Sequence, residues 1–314
     1  MNVAANKTIV AVQPVIRGEE QACILRVLVY FDIFQYPLTK NEIRRFLERP
    51  FSEATIDQSL QQMIADHTIF LHGGFYSLQY NPLLTIKRKK GNRRAEKLLP
   101  KAYSIGRFLF HFPFVRAIGI SGSLSKNFAD EKADVDFFII TKANRLWMAR
   151  SIMHLFKKIT FLTGHQHYFC MNYYIDEDAL LIKEQNIFTA VEVATLIPVA
   201  GKDVLENFFI TNSWGDQFFP GKQIQLPVHK EPATWIKKAI ECLFDSRLGD
   251  HLDKWLFKIT TKRWHQKGEK GMRNKNGHTM QLITGRHFSR SNPGSFQEKV
   301  LSLYEQKLIE LKLI

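Results

Sequence analysis

Between Ile118 and Thr141 the chain reads IGISGSLSKNFADEKADVDFFIIT, and several residues in it could do chemistry together. Gly122 lets the backbone approach a bulky anion, and Ser123 adds a hydroxyl and an N–H that can hold a phosphate oxygen. Lys126 is close enough in sequence to reach the same phosphate. Asp134 and Asp136 lead into an apolar run. If 134–141 form a strand, side-chain alternation sets both carboxylates on one face. Two carboxylates so placed repel each other unless a cation lies between them. Hard oxygen ligands of this kind suit Mg²⁺ (or Mn²⁺), which takes one or two carboxylates plus substrate phosphates.

These residues need a scaffold, and the apolar pattern supplies one. A basic amphipathic helix is predicted over about 92–110, past Pro100, leading to a strand at 115–121. A second strand covers 134–141. Asn144 can cap a following helix that turns Leu146, Ala149, Met153, Phe156 and Ile159 inward and Arg145, Arg150, Lys157 and Lys158 outward. A third strand is predicted at 168–175, and two helices over 186–196 and 202–212 are broken at Pro198 and Gly201.

An apolar strand, Gly-Ser, a spacer and Asp-x-Asp on the next strand together resemble the signature of the DNA polymerase β-like nucleotidyltransferase superfamily. The pieces FDIFQYPLT, GSLSK, DVDFFIITKANRLWMAR, MNYYI and IFTAVEVATLIP are similar to a bacterial group within it that carries an N-terminal winged-helix-like domain. The resemblance implies an α/β (α+β) core in which a small mixed β-sheet is flanked by helices. It implies that Asp134 and Asp136 are catalytic and hold the metal, while Gly122, Ser123 and Lys126 bind a nucleoside triphosphate. The implied reaction transfers a nucleoside monophosphate to an acceptor that the sequence does not identify.

One departure matters. The superfamily places a third carboxylate on the third strand, where this chain reads YFCMNYYI and offers Asn172. An amide oxygen ligates a metal weakly and cannot accept a proton near neutral pH. Another carboxylate (Asp176, Glu177, Asp178 or Glu192) can move in, or the substrate can bring its own activated nucleophile. Alternatively turnover is lost, leaving a nucleotide-binding, nucleic-acid-binding or regulatory module. Asp176–Asp178 also read as a turn after the strand.

Upstream, helical spacing runs from Gln21 to Phe34 and stops at Tyr36-Pro37. A Thr39/Glu42 capping box opens a second helix, and Ser52 caps a third. Two short runs joined by His72-Gly73-Gly74 read as a hairpin. Three helices then a hairpin is the winged-helix order. Its third helix, SEATIDQSLQQMIAD, carries Glu53, Asp57 and Asp66 and no Lys or Arg. That is the wrong sign for a DNA groove, so a packing or protein-contact role is favoured. Lys40, Arg44, Arg45 and Arg49 on the preceding helix are the basic residues through which DNA contact would run.

The expected organisation is a loose segment over 1–19, the winged-helix-like domain over 20–85, the core over 86–214 and a helical C-terminal extension over 215–314. In that extension, helical spacing returns with Trp235, Ile236, Ala239, Ile240 and Leu243, then with Leu248, Leu252, Trp255, Leu256 and Ile259, interrupted by Gly249. A polar loop is expected over 266–295 and a final helix over 296–311.

Among 314 residues, 45% are hydrophobic and 24% charged, which suits a globular protein. Apolar runs are too short to span a bilayer, so no membrane partner and a cytoplasmic location are expected. Cys23, Cys170 and Cys242 fit neither a disulfide framework nor a metal spacing. The net charge of +14 favours an anionic partner. The excess is concentrated in 87–101 and 254–275, the segments that offer nucleic acid a contact surface. His165 and His167, like His278 and His287, read as loop residues rather than as a metal pair.

Overall fold

Helix α1 (Glu19–Asp32) is apolar almost all round, and a helix of that kind must be enclosed. In the computed structural model, which describes residues 16–131, 133–160, 162, 168–221, 224–227, 234–271, 282–291 and 295–314, α1 is buried over most of its length. It packs on α2 (Lys40–Arg45) and α3 (Glu53–Ala65), which carry the expected Thr39/Glu42 capping box and Ser52 cap. The hairpin follows as β1 (Phe70–His72) and β2 (Phe75–Ser77), with Gly73 and Gly74 at φ +58° and +89° in its turn. A bridge from Leu38 to Tyr76 ties the hairpin back.

Helix α4 (Pro82–Phe110) is continuous through Pro100, so the expected boundary between 85 and 86 falls inside it. It runs into β3 (Val115–Ser121), as predicted. Strand β4 (Asp136–Thr141) starts two residues later than expected, with Asp134 just before it. Helix α5 (Leu146–Thr160) crosses over to β5 (Cys170–Asp176), which pairs parallel with β4. Next come α6 (Ile187–Thr195), β6 (Ile197–Ala200) and α7 (Lys202–Thr211). The Pro198 region read as a helix break is therefore an edge strand, a position that tolerates proline. Helices α8 (Trp235–Phe244) and α9 (Arg247–Glu269), strands β7 (Leu282–Thr284) and β8 (Phe288–Ser291) and helix α10 (Phe296–Glu310) complete the chain.

The six core strands form one mixed sheet in the order β6-β3-β4-β5-β8-β7. The C-terminal region is therefore not purely helical, because β7 and β8, inside the expected polar loop, extend the core sheet. Gly249 does not separate two helices. It lies in the first turn of α9, where a Cβ would sit 1.8 Å from the Phe244 carbonyl oxygen.

Alternation divides the sheet into two faces. Ile118, Ile120, Phe137, Ile139 and Tyr174 look toward α4 and α5, while Ala117, Phe138, Ile140 and Ile175 look toward α6 and α7. A third core joins α1 to α6 and α10. Lys307 of α10 pairs with Asp32 of α1 at 2.8 Å, and Phe296 lies 6.4 Å from Phe34. The first and last helices thus meet over the α6 side of the sheet.

On α5 the expected outward arginines point in. Arg145 is buried against Asp250, and Arg150 is buried near the rings of Trp147 and Tyr174. Ile159, expected inside, is exposed. Asn144 does not cap the helix. Its side chain bonds Asp178 and Arg286, while Asp253 of α9 accepts from the Met148 N–H in the first turn. His165, His167 and His278 lie outside the described residues.

Candidate active site

Strands β3 and β4 end together, with Ser121 opposite Asp136. The chain leaves β3 through Gly122 at φ +69°, a left-handed conformation that glycine adopts without strain. Space requires glycine as well, since a Cβ there would lie 2.5 Å from Asp136 Oδ2. Residues Leu124–Lys126 then form one tight turn. The Ser125 hydroxyl and the Lys126 ammonium both donate to the Gly122 carbonyl, at 2.9 and 3.1 Å.

Lys126 also pairs with Glu192 of α6 at 2.8 Å, so its charge is held inside the site. From the N-terminal module the Tyr36 hydroxyl donates to the Lys126 carbonyl. Tyr36 is itself fixed by the Arg88 guanidinium 3.6 Å from its ring centroid, and Arg88 is anchored to Glu42. The module read as a separate packing domain thus reaches the Gly-Ser turn directly.

Asn172 reaches Asp136 through an irregularity. Phe137 faces Met171 and Phe138 faces Tyr173, which leaves Asn172 as an extra residue in β5. Such a bulge re-aims side chains. Met171 and Tyr174 remain with the α5-side core, while Asn172 and Tyr173 both line the opposite face. Asn172 Nδ2 donates to Asp136 Oδ1 at 2.5 Å, and the Cys170 thiol donates to Asn172 Oδ1 at 3.1 Å. Burial, followed by the negative charge of Asp136, pushes the Cys170 thiol up to about 12, so it stays a donor.

Asp136 is half-buried and its carboxyl is pushed up to about 6, first by burial and then by the charge of Asp134. Glu192 adds a smaller push. Asp134 is exposed, with buried Val135 between it and Asp136, as the alternation predicts.

Gly122, Ser123, Lys126, Asp136 and Asn172, all singled out in the sequence, line one cavity of about 310 Å³, and Glu192 lines it too. Its remaining walls are largely aromatic. Tyr30, Phe31 and Phe34 come from α1, Phe138 and Tyr173 from the sheet, and Phe296 from α10. Burial, then Glu192, raises the Tyr30 hydroxyl well above the ordinary tyrosine range. Sequence reasoning missed these walls because α1 and α10 are distant in the chain. Their apolar spacing reports a buried face without saying what it faces.

Asp176 and Asp178, weighed as replacement carboxylates, do not reach the site. Asp176 pairs with Thr141 at the other end of the β4–β5 ladder, five residues from Asp136, or roughly 17 Å along the strand. There it is fully buried and accepts from the Asn144 N–H at 3.0 Å, the Asp178 N–H at 3.1 Å and His287 Nδ1 at 2.9 Å. The turn read after this strand is present as Glu177–Ala179. Asp176, Asp178 and His287 bring one ligand atom each within 4.8 Å, and among the described residues they are the group of three that could hold a metal ion. No helix among the described residues is long and apolar enough to cross a membrane. No protein-family model, curated protein or solved structure matches this chain.

Proposed function

We propose that the protein is a Mg²⁺-dependent nucleotidyltransferase, with a winged-helix-like N-terminal module that serves packing rather than DNA binding. The observation that carries the reading is Gly122 packed against Asp136, with Asp134 beside it and Asn172 and Glu192 around a ligand-sized cavity. The donor set fits the metal. Asp136 carries a raised pKa because its charge is crowded by burial and by Asp134, a condition that a hard divalent cation relieves. Asp134 and Asp136 would hold it, and when bound it would supply charge neutralisation to the leaving pyrophosphate.

The chain's own groups supply the rest. The Gly122–Ser123 turn offers backbone and hydroxyl to the phosphates, and Lys126 fixes the turn from within. An acceptor hydroxyl attacks the α-phosphorus, forming a new O–P bond as the bond to the pyrophosphate oxygen breaks. The hydroxyl proton goes to the Glu192 carboxylate, which supplies what position 172 lacks. Positioning and electrostatics carry most of the catalysis in such transfer. For the module, the support is its helix, bridge, helix, helix, hairpin order. Lys40 is spent on Glu53 and Asp57, and Arg45 on the Ala194 carbonyl, which leaves less cation for DNA.

A second reading has its own observation. Asn172 Nδ2 already satisfies Asp136 Oδ1, as suits a domain that binds nucleotide without turnover. Incubation with α-³²P-labelled triphosphates and protein, RNA and small-molecule acceptors, with and without Mg²⁺, separates the two. Label transfer that requires Mg²⁺ and disappears in Asp136→Asn supports the transferase. Triphosphate binding without transfer, insensitive to Mg²⁺, supports the binding module.

A further inference from the structure

Helix α8 is mounted inside out. Its sequence, WIKKAIECLF, has an apolar stripe of the kind that ordinarily faces a core. Instead the polar residues face in. Lys237 is 3% exposed and donates to the carbonyls of Phe110 and Val115, both at 2.7 Å. One turn on, Glu241 accepts from the Phe114 N–H at 2.6 Å and from Arg116 at 2.9 and 3.0 Å. The stripe is left outside, with Trp235 78%, Ile236 51% and Leu243 66% exposed. The adjoining α9 adds Leu248 at 65% and Trp255 at 57%.

Among the described residues, the charge of this stretch that lacks a salt-bridge partner is of one sign. Lys238, Arg247, Lys254 and Lys258 are exposed and make no salt bridge among the described residues. The acids of the same stretch are already paired, Asp245 and Asp250 at the surface and Glu241 and Asp253 further in. Asp245 pairs with Lys142, Asp250 with Arg145 and Glu241 with Arg116, while buried Asp253 accepts the Met148 N–H. What remains outward is tryptophan and aliphatic side chains set among cations in excess over acids, Lys254 lying near enough to Asp250 to feel its charge.

We propose that the outer face of α8 and the first half of α9 docks on an anionic lipid bilayer. Tryptophan and leucine enter the boundary between headgroups and acyl chains, while lysine and arginine meet the anionic headgroups. A second copy would set like charges against each other, and nucleic acid would meet the cations but leave the leucine and isoleucine side chains in water. Docking is peripheral, so it does not depend on a helix long enough to cross the bilayer. The expectation of no membrane partner rested on the length of apolar runs, which peripheral docking does not require. The face attaches where β3 begins, roughly 20 Å along that strand from the Gly122 turn.

The test uses the full chain and sedimentation with vesicles of phosphatidylcholine containing about a third phosphatidylglycerol, against phosphatidylcholine alone. Wild type should partition onto the anionic vesicles, with a blue-shifted tryptophan emission, and not onto neutral ones. Trp235→Ser with Leu243→Ser should lower partitioning about tenfold or more. Lys254→Glu with Lys258→Glu should lower it by about fivefold or more per cation. Both double variants alter exposed side chains, and unchanged melting temperatures confirm the fold. Absence of wild-type partitioning at low salt, or equal partitioning of wild type and the Trp235/Leu243 variant, overturns the proposal. A dimer of the free chain that this variant dissolves overturns it in favour of self-association, and RNA binding lost in the lysine variant without loss of vesicle binding does so in favour of nucleic acid. Triphosphate binding should be unchanged in both variants, so failure here is distinguishable from failure of the transferase reading.

Discussion

Asp136 and Asp176 stand at opposite ends of the same pair of parallel strands, one half-buried and the other fully buried, and the protein treats their charge differently. At the Asp176 end, two backbone N–H groups and His287 Nδ1 converge on the carboxylate. Burial raises that carboxyl, and the donors from His287 and the Asn144 N–H pull it part of the way back. At the Asp136 end, among the described residues, the Asn172 amide and, more weakly, the Cys170 thiol serve a carboxylate that has a second carboxylate, Asp134, beside it and a cavity in front. Asp176 holds a turn, a loop and a hairpin together. Asp136 is left with electrostatic demand that its surroundings do not meet. The difference teaches that a buried acid is informative less by its burial than by the number of donors supplied to it.

Substituting each acid in turn tests this contrast hardest. Asp136→Asn should reduce Mg²⁺-dependent transfer on the order of 10³-fold. Asp176→Asn should leave it within about threefold, because the second cluster lies at the far end of the sheet. Equal losses in radiolabel assays would erase the distinction. On stability the order reverses. Asp176→Ala leaves buried donors unpaired and should cost about 3 kcal/mol, a fall of roughly 6–10 °C in melting temperature by calorimetry.

Glu192 sharpens the Asp136 end. Removing a general base costs roughly 10²–10⁴ in rate, so Glu192→Gln should slow transfer at least about 10²-fold with little change in triphosphate affinity. Asn172→Asp should not raise the rate, because it removes the amide donor and adds a third negative charge. A large gain in Asn172→Asp at high Mg²⁺ would show instead that position 172 is where a base is missing.

The smallest effect is one of pH. Because the Asp136 carboxyl is raised from 3.8 to about 6, the folded state holds this proton more tightly than the unfolded chain does. Its contribution to stability is full below pH 3.8 and is lost as pH rises through about 6. Asp136→Asn should therefore raise the melting temperature at pH 7.5 and not at pH 3.5. The shift bounds the gain at about 3 kcal/mol, and the altered bond to Asn172 should reduce it to about 1 kcal/mol. Calorimetry showing the same gain at both pH values would place the effect elsewhere.

Much of this end of the molecule was legible in the sequence. The bounds of β3, the loop glycine, the alternation of Asp134 and Asp136 around a buried valine and the Thr39 and Ser52 caps all follow from local rules. What was not legible depends on distant partners. Arg145 and Arg150 read as outward because their inward surroundings lie on α9 and β5. Asn144 read as a cap because nothing nearby in sequence announces Asp253. The stripe on α8 has ordinary spacing, and only the carbonyls of Phe110 and Val115 explain why its lysine turns inward. Strands β7 and β8 are too short and polar to stand out without the edge of β5 to pair with.

The bulge in β5 has an evolutionary consequence. If Asn172 were deleted, Met171 and Tyr173 would follow one another in regular alternation, and every other side chain of the strand would keep its present face. The ladder would be unbroken. The sheet therefore does not need this residue, and a single-codon insertion or deletion is enough to add a polar group at the cavity or withdraw it without rethreading the strand. Selection on the site can act at this position almost independently of selection on the fold.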